Sequence, residues 1–435
     1  MRAFFARLEG KRNPTALTAF ARALQSEAFF PSPSPRFLTA DRNPIFRLNK
    51  DNEETDKMNS KKRKFDILDY LDWRGDLPFG VSPLNEVDSL IFCQLAYLNF
   101  TNLAPKVFDT PISLTELSKL FFASSDFEAR SDLGMLIDPK SNELLKKAGE
   151  SQRFGNVGVA GFVSEYDKNK EEQFSAVTFV LNEGGLLEKQ QVFVAFRGTD
   201  DTLVGWKEDF NLAFMEKVPA QADALAYLEN AASVFKKAGL YVGGHSKGGN
   251  LAIYACAHLS ENSKKNLAEV YNFDGPGFSQ EQLDSNDFFS VKQKIRSVYP
   301  QFSVVGMLFH HYDAYKTVLS DERVIMQHNP FSWFVKGTAF ETKEGLDSGS
   351  EVFFNSFNKW FEPLLPNQRE QFVETLFGLL ESTNAVTNSD LSRDLLKNTG
   401  KMIKAFAGLD SAIRDEAIKI AGDFVKIVIA ETVGN

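Results

Sequence analysis

A serine set among glycines is the first feature of this sequence that could perform chemistry. In the stretch YVGGHSKGGNLAIYACAHL, the pattern G-x-S-x-G is satisfied by Gly244, Ser246 and Gly248. An apolar strand pattern precedes the serine and an amphipathic run over 247–259 follows it, which predicts a strand-to-helix turn. Such a turn needs small neighbours and exposes the hydroxyl for nucleophilic attack. The backbone N–H of Lys247, at the start of the helix, is then a candidate oxyanion donor. A glycine turn that serves packing alone is the alternative.

A second element with possible chemistry precedes the serine. The stretch VFVAFRGTDDTLVGWKEDF, residues 192–210, runs from a strand pattern into a loop at Gly198 and Thr199. It then continues to Trp206 and Asp209 in a pattern typical of a helix.

Together, AFRGT…W..D and GHSKGG resemble the class 3 lipases, a branch of the α/β-hydrolase superfamily. More narrowly, FDILDYLDWRGDLPF, NFDGPGF, SVVGML and MQHNPFSW resemble an uncharacterised bacterial lipase-like family, over nearly everything from residue 58 onwards. The resemblance implies an α/β-hydrolase-like mixed sheet with flanking helices, plus helical additions at both ends. It also implies that Thr199, which follows the pair Arg197–Gly198, supplies the second oxyanion donor. We interpret Arg197 and Asp209 as a structural ion pair that braces this loop.

His328 is the histidine that we expect to act as the general base. It lies in MQHNPFSW, after the last strand patterns, where the chain order Ser–Asp–His of α/β-hydrolases places the base. The lipase-like family has its histidine at the same position, and a structural histidine is the alternative. His245 is adjacent to Ser246, should point away from the hydroxyl, and is interpreted as structural. His258 should face elsewhere on the helix, and the pair at 310–311 should be solvated at a hairpin end.

The carboxylate that orients the base is not defined by the sequence. Class 3 lipases carry their aspartate just after the strand that corresponds to KIRSVYP, where this chain has Gln301, Phe302 and Ser303. Three interpretations stay open: Asp274, at the end of the preceding strand, reaches the histidine; a Ser–His dyad operates with a polar neighbour such as Ser303; or the site is inactive. Asp274 could equally do no more than hold the FDGPG turn through backbone N–H groups.

The elements that must position these residues alternate along the chain. Strand patterns over 156–166, 174–181 and 191–196, with a turn at Asn182–Gly185, predict an antiparallel start to the sheet. A helix over 222–240 then leads into the strand before Ser246, and Gly239 is predicted to terminate that helix.

Further strand patterns follow the serine turn. The segments 270–275 and 294–300 are predicted strands, and SVVGMLF with YKTVLS is predicted to form a β-ribbon. Because strands and helices alternate, the sequence predicts an α/β fold.

Four regions are predicted along the chain. Residues 1–57 are expected to be a disordered extension, or a misassigned start ahead of Met58. An N-terminal helical region spans 58–153, the hydrolase core spans 154–335, and a C-terminal helical region spans 336–435. The amphipathic C-terminal helices are expected to pack against the core, with a membrane-facing or partner-facing surface as the alternative.

Composition excludes several classes of protein. The 435 residues carry a net charge of −9, which argues against nucleic-acid binding. No apolar run reaches the roughly 18 residues of a membrane helix. The cysteines, Cys93 and Cys256, have neither metal-site nor disulfide spacing, which fits a cytoplasmic protein. The 41 phenylalanines suit an aromatic core, or an apolar ligand pocket.

The sequence therefore predicts a serine hydrolase, lipase-like or esterase-like, that cleaves an ester of an apolar acyl group. Ser246 would attack, His328 would transfer the proton, and Lys247 and Thr199 would stabilise the oxyanion. The partner is a small acyl ester or a lipid, and neither a metal nor an organic cofactor is required. The alternative is a catalytically inactive hydrolase fold that serves as a binding or scaffold protein.

Overall fold

A central β-sheet organises the molecule. The structure is a computed structural model, and the part that it describes comprises residues 64–181, 190–212, 215, 217–312, 314–393 and 395–434. The turn expected at Asn182–Gly185 and the extension expected at 1–57 lie outside this part of the chain.

The strands are short, apart from two of ten residues each. In chain order they are β1 Ile112–Ser113, β2 Gly158–Asp167, β3 Glu172–Leu181, β4 Gln191–Phe196, β5 Gly239–His245, β6 Leu267–Phe273, β7 Ile295–Pro300, β8 Tyr315–Val318, β9 Val335–Lys336, β10 Ala339–Phe340 and β11 Thr342–Lys343.

Nine of these strands form one mixed sheet in the order β1-β2-β3-β4-β5-β6-β7-β8-β11. Strands β1 to β4 pair antiparallel, β4 to β8 pair parallel, and β11 closes the far edge antiparallel to β8. Strands β9 and β10 form a separate antiparallel pair. The predicted mixed sheet, with its antiparallel start, is confirmed.

Helices precede, connect and follow the strands. They are α1 Ile67–Arg74, α2 Glu86–Leu95, α3 Leu114–Ala123, α4 Phe127–Ser131, α5 Lys140–Glu150, α6 Leu203–Asn211, α7 Pro219–Val234, α8 Lys247–His258, α9 Glu261–Lys264, α10 Gln280–Leu283, α11 Asn286–Val291, α12 Ser348–Phe361, α13 Pro366–Glu381, α14 Asn388–Arg393, α15 Leu395–Ala407 and α16 Ser411–Gly434. Three 3-10 turns span Lys292–Lys294, Val324–His328 and Pro330–Ser332.

The two faces of the sheet are covered by different parts of the chain. Strands β4 to β7 advance in one direction, so right-handed crossovers place their connecting helices on the same face. Helices α7 and α8 pack there, and Leu228, Leu251 and Val242 belong to the same buried apolar cluster. The N-terminal helices cover the opposite face, where the ring of Phe92 stacks on that of Phe179 with centroids 4.5 Å apart. Many of the phenylalanines therefore belong to the core.

A buried ion pair fixes the N-terminal helices to one another. Asp88 of α2 and Arg153 have fully buried side chains, and Arg153 Nη2 lies 2.5 Å from Asp88 Oδ2. The Tyr70 hydroxyl donates to Asp88 at 2.8 Å, and Arg153 also donates to the Leu77 and Ser82 carbonyls. Such a pair is tolerated in the interior only when the remaining donors and acceptors are satisfied. It holds α2, and the chain that follows α2, in one position on the sheet.

The C-terminal helices pack against the core and against each other. Phe377 of α13 contacts Phe210 of α6 with ring centroids 5.6 Å apart. Trp360 of α12 donates to the Ile420 carbonyl of α16 at 2.8 Å. Among the described residues, no helix combines the length and the apolar character that a bilayer crossing requires. The boundaries predicted between the four regions of the chain remain predictions.

Two local predictions were wrong. Helix α7 ends at Val234, and Gly239 is the first residue of β5, where its N–H donates to the Gln190 carbonyl at 2.8 Å. Gly239 therefore belongs to the sheet, because its backbone pairs with the neighbouring strand instead of ending the helix. The segment 303–309 forms no strand, because its backbone bonds to a loop instead: the Leu308 carbonyl accepts from the Gly277 N–H. Strand β8 instead joins the sheet parallel to β7.

Cys93 and Cys256 are buried free thiols.

Candidate active site

Ser246 occupies a strained turn between β5 and α8. Its backbone has φ 58° and ψ −135°, a combination that residues with a side chain rarely adopt. The Ser246 N–H donates to the Phe273 carbonyl at the end of β6 at 2.9 Å, so the turn is tied to the neighbouring strand. The serine lies where the carboxyl end of a parallel strand meets a helix amino terminus, the usual place for a ligand site in an α/β sheet.

The glycines around Ser246 are required by the close approach of strand and helix. A β-carbon on Gly244 would overlap the backbone of Gly248, and one on Gly248 would overlap the carbonyl of Phe196 in β4. A β-carbon on Gly249 would overlap the Asn272 side chain in β6. The glycines are therefore needed for a turn this tight, whatever the serine does.

Asp274 and His328 are in direct contact beside this turn. His245 pairs with Phe273 across β5 and β6, so Ser246 and Asp274 leave the sheet at the same level, on strands about 4.8 Å apart. Asp274 Oδ2 lies 2.6 Å from His328 Nδ1, and Asp274 is 1% exposed. Its other oxygen, Oδ1, accepts from the Ser303 hydroxyl at 2.5 Å. Ser303 thus contacts the carboxylate rather than the imidazole.

His328 is held in place by the residues that surround it in the sequence. It ends the 3-10 turn Val324–His328. The indole N–H of Trp333, a fully buried side chain, donates to the Gln327 carbonyl at 2.7 Å. The Gln327 side-chain oxygen accepts from the Phe302 N–H at 2.8 Å. The segment MQHNPFSW therefore anchors the imidazole through a buried tryptophan on one side and the chain after β7 on the other.

His245 contacts His328 rather than lying apart from it. The two imidazole rings are 4.5 Å apart between centroids, and His245 Nε2 lies 2.9 Å from the His328 carbonyl oxygen. His245 Nδ1 lies 3.0 Å from the Tyr97 hydroxyl. Burial, together with the neighbouring His328, lowers the pKa of His245 well below its usual range. The His245 ring is therefore neutral at ordinary pH.

The loop after β4 lies against the serine turn. A β-carbon on Gly198 would overlap the Tyr97 hydroxyl and would come within 3.0 Å of the Ser246 β-carbon. The Thr199 hydroxyl donates to Asp209 Oδ2 in α6 at 2.5 Å. Burial raises the pKa of Asp209 to about 6, although the positive charge of Lys247 opposes the shift. The loop that carries Thr199 is thus fixed both to the turn and to α6.

The ion pair expected between Arg197 and Asp209 is not formed. Arg197 Nη2 pairs with Asp200 Oδ2 at 3.2 Å, while Asp209 accepts from Thr199. Arg197 pairs with Asp200 rather than with Asp209, because Asp200 is three residues away in the same loop. Trp206 lies in α6.

A second buried ion pair, which no sequence pattern predicted, starts at the residue that follows Ser246. The Lys247 ammonium lies 2.8 Å from Glu208 Oε2 and 2.9 Å from the Gln173 carbonyl oxygen, and both charged side chains are fully buried. Glu208 also accepts from the backbone N–H of Ala220 at 2.9 Å. The available signal was Lys247 itself, because a lysine in an otherwise small and apolar helix start needs a buried carboxylate.

Replacing Glu208 with glutamine is expected to lower the free energy of unfolding by about 3–5 kcal/mol, because it leaves the Lys247 charge buried and unpaired. Urea denaturation followed by circular dichroism measures this loss. The matched control is Glu261→Gln, which removes an exposed partner of Lys264 and should change stability by less than about 1 kcal/mol. Equal stability of the two variants would contradict the structural role of the buried pair.

The remaining histidines have partners other than the serine turn. His258 pairs with Asp287 at 3.2 Å. His310 pairs with Glu362 at 3.3 Å, and His311 packs on Tyr299. The prediction that His310 and His311 are solvated at a hairpin end was wrong. Both are half-buried, because the chain that precedes them bonds to other loops instead of forming a ribbon.

One group of acidic side chains in the described part of the chain is compact enough to hold a cation. Oxygens of Glu165 in β2, Glu172 in β3 and Asp223 in α7 lie within 4.8 Å of one another. A hydrogen bond with Asp223, and then burial, raise the pKa of Glu172 to about 7. Three carboxyl groups close together, with no further ligand beside them within the residues that the structure describes, by themselves assign no metal chemistry.

Comparison with solved structures finds only distant likeness. A Rhizomucor miehei lipase in complex with its propeptide is 18% identical, with a TM-score of 0.30, over 55% of this chain and 75% of the lipase. The M37 lipase is 16% identical, with a TM-score of 0.32, over 52% and 70% of the two chains. Lip2 lipase from Yarrowia lipolytica is 15% identical, with a TM-score of 0.28, over 59% and 86%. At these values the likeness gives no information about the activity of this chain.

Sequence comparison gives a family. No curated protein sequence matches the chain. A family model, described as Mbeg1-like, matches residues 148–378, which is more than half of the 435 residues and includes the serine turn, Asp274 and His328. The chain belongs to the Mbeg1-like family.

Proposed function

We propose that this protein is a serine hydrolase that cleaves a carboxylic ester of an apolar acyl group through an acyl-enzyme. The observation that carries the proposal is the 2.6 Å contact between Asp274 and His328, one strand away from a serine in a strained turn. A carboxylate on Nδ1 of an imidazole fixes the tautomer whose Nε2 is free to accept a proton. Packing alone gives no reason to place a buried carboxylate against an imidazole beside this turn.

In the proposed reaction, Ser246 Oγ attacks the ester carbonyl while His328 accepts its proton. His328 then returns the proton to the leaving alcohol, and the acyl group stays on the serine as an ester. Water, deprotonated by the same imidazole, attacks this acyl-enzyme and releases the acid. Asp274 keeps its charge throughout and stabilises the imidazolium that forms twice in each cycle.

The negative charge on the carbonyl oxygen needs two donors. The backbone N–H of Lys247 is one candidate, because the first N–H groups of a helix have no partner inside that helix and carry its positive end. The backbone N–H of Thr199 is the second candidate, because its loop lies against the serine turn and is fixed by Asp209. Donors held in place before the reaction stabilise the developing charge without reorganisation.

The substrate class rests on resemblance. The lipase-like motifs support an apolar acyl ester, such as an acylglycerol, as the substrate. The site itself does not define the length of the acyl chain. The two free and buried cysteines fit a cytoplasmic location.

The main argument for a catalytically inactive scaffold protein no longer holds. That argument was the absence of an aspartate after the strand KIRSVYP. Asp274 reaches the imidazole from the neighbouring strand instead. The tertiary arrangement therefore favours the hydrolase.

A fluorophosphonate probe tests the proposal directly, because it reacts with a serine only when a base activates the hydroxyl. We expect the folded protein to be labelled on the peptide that contains Ser246, as read by mass spectrometry. The variant Ser246→Ala and heat-denatured protein should both stay unlabelled. Absence of labelling in the folded wild type, or label that persists in Ser246→Ala, would contradict the proposed function.

A further inference from the structure

We propose that Tyr97 is a positioning residue that fixes the base and the oxyanion loop through its hydroxyl, an inference that rests on the proposed function. Tyr97 follows α2, on the N-terminal part of the chain that covers one face of the sheet, and is 5% exposed. It precedes the residues matched by the family model. None of the motifs that resemble lipases includes it.

The first contact of the hydroxyl defines the tautomer of His245. Because the ring of His245 is neutral, only one of its nitrogens carries a proton. Nε2 faces the His328 carbonyl oxygen at 2.9 Å, and a carbonyl only accepts, so Nε2 carries that proton. Nδ1 is then an acceptor, and the Tyr97 hydroxyl donates to it at 3.0 Å, a shorter distance than the 3.3 Å to the His245 carbonyl oxygen. The tyrosine therefore keeps the N–H of His245 directed at the backbone of the proposed base.

The second contact is with the loop that carries Thr199. The hydroxyl lies where a side chain on Gly198 would have to be, and the backbone N–H of Gly198 interacts with it. Burial raises the pKa of Tyr97, which favours the protonated hydroxyl that the hydrogen bond to His245 requires. The Tyr97 hydroxyl oxygen therefore contacts both His245, which holds the proposed base, and the loop that carries the proposed oxyanion donor Thr199.

The expected consequence concerns turnover rather than substrate binding. Without the hydroxyl, Nδ1 of His245 is a buried acceptor with no donor, and the imidazole can exchange tautomers or rotate. The Nε2 contact to His328 is then lost part of the time, and the base moves relative to Ser246. A displacement of about 1 Å at the reacting groups can cost on the order of 10²-fold in rate.

The test compares Tyr97→Phe with Tyr227→Phe in the full chain, using a p-nitrophenyl ester and the fluorophosphonate labelling rate. Tyr227 is the matched control because its hydroxyl also makes an interior hydrogen bond, to Thr178 at 2.9 Å, but on the α7 side of the sheet. We expect Tyr97→Phe to lower kcat and the labelling rate on the order of 10- to 100-fold, with KM little changed. Tyr227→Phe should lower neither, while its loss of thermal stability is similar.

A double-variant cycle separates positioning from general destabilisation. His245→Ala should lower kcat by a similar factor, and the combination with Tyr97→Phe should cost clearly less than the product of the two single losses, since the two residues share the contact to His328 and only the contact of Tyr97 with the Gly198 loop is separate. Wild-type kcat in Tyr97→Phe, or independent effects of the two substitutions, would overturn this inference alone. A wild type that neither hydrolyses esters nor reacts with the probe would overturn the proposed function and this inference with it.

Discussion

Replacing His328 with alanine is expected to lower kcat/KM for a p-nitrophenyl ester on the order of 10⁵-fold. Without the imidazole, the Ser246 hydroxyl has no acceptor for its proton, and the leaving alcohol has no donor. Whatever rate remains comes from the oxyanion donors and from substrate binding. The same variant should react with the fluorophosphonate no faster than Ser246→Ala.

Two comparisons make the His328 result specific. His310→Ala also removes a half-buried histidine, but one that pairs with Glu362 and has no part in the proposed reaction, and it should keep nearly full activity. The double variant His328→Ala with Ser246→Ala should be no slower than either single variant, because the two groups act as a unit. A His328→Ala enzyme within tenfold of wild type would remove this residue from the mechanism.

Asp274→Asn is expected to lower kcat on the order of 10⁴-fold while KM changes little. The asparagine amide no longer carries the charge that stabilises an imidazolium. It also presents either a donor or a neutral oxygen to Nδ1 of His328, so the tautomer with a free Nε2 is no longer fixed. The turn itself should survive, since the Asp274 backbone N–H still donates to the Val298 carbonyl.

The size of the Asp274 effect decides between the triad and the dyad. In a Ser–His dyad oriented by Ser303, Ser303→Ala would be the damaging change and Asp274→Asn the mild one. The structure gives the reverse expectation, because the Ser303 hydroxyl bonds to Asp274 Oδ1 and Asp274 Oδ2 bonds to the ring. Steady-state kinetics of the two variants, with melting curves to confirm that both fold, measure the difference directly. A milder effect for Asp274→Asn than for Ser303→Ala would contradict the triad.

Local sequence determined most of the fold and the serine turn. The strand predicted over 191–196 is β4, Gln191–Phe196, and the helix predicted over 247–259 is α8, Lys247–His258. These predictions succeed because period-two and helical patterns report burial of one face over a few residues. The glycines around Ser246 could likewise be interpreted locally, since the absence of side chains at fixed spacing reflects close backbone approach.

Contacts between distant parts of the chain could not be predicted in this way. Which carboxylate meets His328 was left open among three interpretations, and the bond from Asp274 joins positions 54 residues apart. The Tyr97–His245 contact spans 148 residues, and the pairing of Lys247 with Glu208 spans 39. Periodicity carries no information about such pairs, because they depend on how strands stack side by side and on which helices the crossovers bring to each face.

By itself, then, the sequence of this protein determined an α/β architecture and one serine held in a glycine-lined turn. Only the tertiary structure decided which acid stands behind the histidine, which carboxylate pairs with Lys247, and that Tyr97 contacts both His245 and Gly198. The physical reason is that side-chain chemistry at a site depends on distances of a few ångströms between strand ends. Those distances are set by the parallel register of β5 and β6 and by the N-terminal helices packed over them.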